Sequence, residues 1–109
     1  MILIRQVAEE RGIDEEDVYE LLELFVEYTQ SEDLEALREA IRVGNHVVAR
    51  ERAHSIKGAA LNLKLSEIAS LARNLEEKCG SADLEGAEDI LAGIASELGV
   101  VRDFLEQKG

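Results

Sequence analysis

His54 is followed at three residues by Lys57 and at four by Gly58. If this stretch is helical, both flank the imidazole on one face, because residues three and four apart are neighbours on a helix. A neutral imidazole is a usable nucleophile near pH 7. A phosphoryl group taken up by such a ring carries a compact negative charge and needs a cation close by. Lys57 and, one turn upstream, Arg50 can supply it. Gly58 costs about 1 kcal/mol relative to alanine in a helix interior, a cost that makes sense where a side chain would block an incoming partner.

The segment that must position these residues runs from about Asn45 to Leu63. At about 100° per residue, Val48, Ala49, Ala53, Ile56, Ala59, Ala60 and Leu63 share one side, the core face, and His54 falls nearly opposite. Val47 and Leu61, seven residues before and after His54, point outward with it. They form an apolar stripe on a face that should be polar, suited to docking a partner, and with Arg50 they are the expected partner-binding residues. Each observation has a plain reading when taken singly. A lone surface histidine usually has no role, a mid-helix glycine often marks a close helix contact, and an outward valine or leucine is often covered by a neighbouring segment. They gain weight by coinciding on one face.

Five further helical segments surround this one. The first covers roughly residues 2–11, with Gly12 as a left-handed cap. Asp14 opens the second, with Glu15, Glu16 and Asp17 in the first turn and Val18, Leu21, Leu22, Phe25 and Val26 inward. Ser31 is expected to cap a third, with Leu34, Leu37 and Ile41 inward and Gly44-Asn45 at its end. The fifth starts near Leu65 or Ser66, carries Ile68, Leu71, Ala72 and Leu75, and stops at Cys79-Gly80. The last starts after Ser81 or Asp83, with Leu84, Ala87, Ile90, Leu91, Ile94, Leu98, Val101 and Leu105 in one stripe. No window shows the alternation of a half-buried strand. The pattern predicts an all-α fold: an antiparallel up-down four-helix bundle with a short additional N-terminal helix, one domain over residues 1–109. One or two residues separate the fourth and fifth segments, which makes them antiparallel neighbours.

Composition narrows the function classes. The net charge is -12, which argues against nucleic acid or an anionic membrane as partner. The charge is uneven: Arg42, Arg50, Arg52, Lys57 and Lys64 face a single acid, Glu51, so residues 42–64 carry +4 and the remainder -16. Both histidines lie in this basic island. No apolar run approaches the roughly 20 residues of a membrane span, and Ile2-Leu3-Ile4 is too short for a signal-peptide core, so a cytoplasmic location is expected. Cys79 is the only cysteine, which excludes an internal disulfide and suits a small buried apolar residue. Met1 and a well-formed first helix suit a free-standing chain, and a monomer is expected because the His54 face must stay open.

Ala53-His54-Ser55-Ile56-Lys57-Gly58-Ala59-Ala60, followed by Asn62-Leu63, resembles the signature of histidine-containing phosphotransfer (HPt) domains, His-x-x-Lys-Gly with small residues after the glycine. Leu75-Glu76 resembles the family's recurring pair in the next helix. The resemblance implies that His54 is phosphorylated, that Lys57 stabilises the phosphoryl group and that Gly58 keeps access open. It also implies partners: a response-regulator receiver domain, a sensor histidine kinase, or both. The Mg²⁺ of such transfers would be held by the receiver, so the chain itself is expected to need no cofactor or metal. Many relatives place glycine where this chain has Lys64.

The resulting expectation is a phosphoryl carrier in a two-component phosphorelay. It is not an enzyme with its own ATP-binding domain, since no phosphate-binding Gly-x-x-x-x-Gly-Lys loop is present. Two rivals stand beside it. Glu51-x-x-His54 matches the Glu-x-x-His pattern of di-iron bundles, but His46 has Val43 at the corresponding position and His54 points away from the core. A non-transferring adaptor bundle that docks on receivers or kinases would have no need of the histidine. His46 itself is expected to be a solvated residue of the first helical turn.

Overall fold

A computed structural model of the chain describes residues 2–108. The two end residues of the 1–109 span, Met1 and Gly109, lie outside the described residues. The helices are α1 (Ile4–Arg11), α2 (Glu15–Tyr28), α3 (Leu34–Val43), α4 (His46–Asn62), α5 (Ser66–Gly80) and α6 (Ala87–Lys108). No strand occurs among the described residues.

One expectation needs correction. Ser31 does not cap a separate helix, because α2 and α3 are joined by a π-helical turn over Thr29–Asp33 whose flanking residues Tyr28 and Leu34 keep right-handed helical backbone. Glu15 to Val43 is therefore a single rod, about 43 Å long at helical rise, which matches the 41 Å long axis of the molecule. Counting that rod as one helix reduces six segments to the expected four-helix bundle plus short α1. The extra residue per turn re-phases the rod, so that the inward stripe Val18, Leu22, Phe25, Val26 continues as Leu34, Leu37, Ala40. Thr29 and Asp33, both polar, are carried into the buried side by this turn.

Most other boundaries follow the local signals. Gly12 and Gly44 take left-handed backbone at φ 67° and 75° and end α1 and α3. The Asn45 side chain accepts a hydrogen bond from the Val48 amide at 3.2 Å and starts α4. The start of α6 lies later than expected. Asp83 Oδ1 instead accepts from the Glu85 amide, and Gly86 at φ 79° holds the chain outside a helix until Ala87.

α4 packs most closely on α5, and then on the α3 half of the rod. Its inner face is mostly alanine, with Ala49, Ala53, Ala60 and Ile56 fully buried and Val48 and Ala59 partly so. Small residues let the two helices approach, and Ile56→Ala in such a face would cost about 2–5 kcal/mol. The connection between them is three residues, Leu63 to Leu65. Lys64 occupies the left-handed region there at φ 56°, a backbone that glycine takes at lower cost than a residue with a side chain. Its ammonium reaches Glu10 of α1 at 3.0 Å and ties the short helix to this end of the bundle.

Candidate functional site

α4 is held with its alanine face inward, so His54 emerges on the outer side, its side chain 67% exposed. Val47 and Leu61 are exposed on the same helix. No neighbouring segment covers them among the described residues. A Cβ built on Gly58 meets nothing within 4 Å. The glycine is therefore not required by a helix contact, and the surface around His54 is left low.

The structure adds one residue to the expected set. Glu76 of α5 stands beside His54, with its Oε2 2.7 Å from the imidazole Nδ1 and its Oε1 2.7 Å from Lys57 Nζ. One carboxylate thus spans the histidine and the lysine. Both partners hold its pKa below the ordinary carboxylate range, Lys57 most strongly, and partial burial opposes them only in part. Glu76 is ionised at neutral pH and can only accept, so Nδ1 must donate. In the neutral ring the proton then sits on Nδ1, which leaves the lone pair on Nε2.

In the sequence Leu75-Glu76 stands out only by its resemblance to a recurring pair, which assigns Glu76 no contact with His54. A positional signal was nevertheless available. α4 and α5 reflect through Lys64, and ten residues before it is His54 while ten after it is Asn74. Glu76 and Glu77 are the acids nearest that level, and Glu76, next to the buried Leu75, faces α4.

Arg50 lies one turn before His54 and lines an open groove with His46, Val47, Glu51, His54 and Glu76, floored by Cys79 and Gly80. His46 is exposed at the far end of that groove. Cys79 is fully buried, and burial raises its thiol pKa, so it stays protonated and unreactive. Glu51 and His54 both project outward, away from the bundle core where a di-iron pair would sit. Among the described residues no three His, Cys, Asp or Glu side chains converge as a metal ion would need.

On its other flank α4 is pinned by a different ion pair. Arg52 Nη1 lies 3.2 Å from Asp33 Oδ1 of the π-helical turn. Asp33 is almost fully buried, and desolvation pushes its pKa up against the opposing pull of Arg52.

The amphipathic bundle thus presents an exposed imidazole, oriented by a carboxylate, beside a lysine and a bare glycine. The family model for the Hpt domain matches residues 20–107, and the chain belongs to that family. Its fold is similar to the crystal structure of histidine-containing phosphotransfer protein B from Pseudomonas aeruginosa PAO1. The two share 27% identity at a TM-score of 0.86, over 98% of this chain and 92% of that one. A search of curated proteins by sequence found no match. Among the described residues no helix is long and apolar enough to cross a membrane.

Proposed function

We propose that the chain is the phosphoryl carrier of a two-component phosphorelay. Nε2 of His54 accepts the group from a receiver-domain aspartate or a sensor histidine kinase, and then passes it to a response regulator. The observation that carries this reading is the Glu76 carboxylate bridging His54 Nδ1 and Lys57 Nζ.

The chemistry follows from that bridge. Nε2 attacks the phosphorus of an aspartyl phosphate in line. The N–P bond forms, the P–O bond to the carboxylate breaks, and the carboxylate leaves as an anion. Positive charge grows on the ring as its lone pair is used, and Glu76 offsets it through the Nδ1 hydrogen bond without taking the proton. Reversal on a second receiver regenerates the neutral imidazole. Positioning and charge supply most of the rate, as is general for phosphoryl transfer. Lys57 holds Glu76 in place and adds a cation near the transferred group.

Gly58 leaves room for the partner to bring its aspartate to van der Waals distance, and Val47 and Leu61 give it an apolar surface to dock on. Mg²⁺ belongs on the partner: the one carboxylate beside His54 is already spent on His54 and Lys57. A carrier of this kind has no nucleotide chemistry of its own, acts in the cytoplasm and works as a monomer with this face open.

The test is incubation with a panel of phosphorylated receiver domains, followed by mass spectrometry that preserves phosphohistidine. Label on His54 that disappears in His54→Gln supports the carrier. Docking with no label from any receiver or kinase would make the chain an adaptor.

A further inference from the structure

We infer that Arg50 is the residue that holds the phosphoryl group once it sits on His54, an inference that rests on the carrier reading above. In the unphosphorylated chain the charges at the site are already matched, because Lys57 is paired to Glu76 at 2.7 Å. Arrival of a phosphoryl group adds about -1.5 to -2 charges beside a carboxylate that cannot leave. A cation without a prior partner is needed to balance it.

Most of the surrounding bases are already paired, and Arg73 of α5, which makes no ion pair among the described residues, does not line the groove beside His54. Arg52 is paired to Asp33, Lys78 to Asp83, and Lys64 to Glu10. Arg50 makes no ion pair among the described residues, although Glu51 and Glu76 line the same groove. It stands four residues before His54, hence on the same face one turn away. That open groove of 590 Å³ connects the two side chains directly.

The resting place of Arg50 is also informative. Its guanidinium lies over Gly80, where an added Cβ would be 3.6 Å from Nε and 3.7 Å from Cζ. Gly80 ends α5, so the guanidinium lies near the weakly negative C-terminal end of that helix and pairs with no carboxylate among the described residues. A dianion on Nε2 outcompetes that parking site, and a planar guanidinium can offer it two parallel N–H donors. Lys57 and Arg50 then bracket the group from the following and preceding turns.

The inference is tested by the equilibrium distribution of phosphate between this chain and a receiver domain that transfers to it. The measurement is made dilute enough that the two proteins are dissociated. An equilibrium between free species depends on how stable phosphohistidine is and not on docking, which alters only rates. Arg50→Gln is expected to shift the ratio of phospho-His54 to phospho-aspartate about threefold to tenfold toward the receiver, and Arg50→Lys to restore most of it. Both variants should melt as the unchanged chain does, since Arg50 is exposed. An unchanged ratio with slower transfer would overturn the inference and make Arg50 a partner contact only. An unchanged ratio with unchanged rates would leave it no role at the site. Failure of the carrier reading itself is a separate outcome, namely no label on His54 in the unchanged chain.

Discussion

α4 is flanked by two carboxylates that share little beyond their chemical type. On one side Glu76 makes two contacts of 2.7 Å near the surface, and its hydrogen bonds outweigh desolvation, so its pKa is lowered. On the other side Asp33 is buried against Arg52 at 3.2 Å, and desolvation outweighs the ion pair, so its pKa is raised. The difference teaches what each can do. A carboxylate held firmly as the anion can fix a tautomer and offset charge growing on a ring. One that resists ionisation serves as an anchor, here between the π-helical turn and the helix that carries His54, and its net worth to stability is small or negative.

The largest effect that can break this contrast lies at the ring itself. His54→Gln should abolish phosphorylation with little change in melting temperature, since the side chain is exposed; labelling and calorimetry read the two quantities. Next, Glu76→Ala should slow transfer from a phosphorylated receiver by about 10- to 100-fold, measured by rapid quench, while Asp33→Asn leaves the rate per folded molecule unchanged. Equal rate losses at both positions would erase the distinction.

Arg52→Ala should reverse the pattern, lowering the melting temperature by roughly 5 °C through an uncompensated buried carboxylate, with transfer retained. Acid titration of melting temperature sharpens the comparison further. The lowered pKa of Glu76 gives stability that is present above its ordinary value of 4.5 and lost as pH falls through the folded value. The raised pKa of Asp33 gives a penalty that is absent below its ordinary value of 3.8 and appears as pH rises through the folded value. Glu76→Gln should therefore be less stable than the unchanged chain at pH 7, and Asp33→Asn equally or more stable. Both differences should shrink toward zero on acidification.

The smallest effect concerns the turn that sets the register of α4 against α5. Lys64→Gly should stabilise by about 0.5–1 kcal/mol by removing a side chain from left-handed backbone, less whatever the exposed Glu10 pair contributes. Chemical denaturation with an unchanged slope would measure it.

Much of this architecture is legible in the order of residues because it is local. Apolar spacing of three and four decides which face of each helix is inward, and the stripes of α2, α5 and α6 are buried or half-buried as spaced. The same arithmetic puts His54, Val47 and Leu61 outward without reference to any other helix. Glycines at left-handed positions mark the ends of α1 and α3, since only they take that backbone without cost. Ser31 misled because a serine before an apolar run reads as a cap, whereas hydrogen bonds continued through a π turn leave no free amides to cap.

The sequence by itself thus determined a helical bundle with an outward histidine, its lysine and its bare glycine, all consequences of periodicity within one helix. Tertiary structure alone decided that Glu76 rather than Glu77 meets the ring, that Lys57 faces the same carboxylate, and that Arg50 stays without one. Those outcomes depend on the rotation and axial register of α5 against α4. Packing of the alanine face and a left-handed lysine in a three-residue turn set that register.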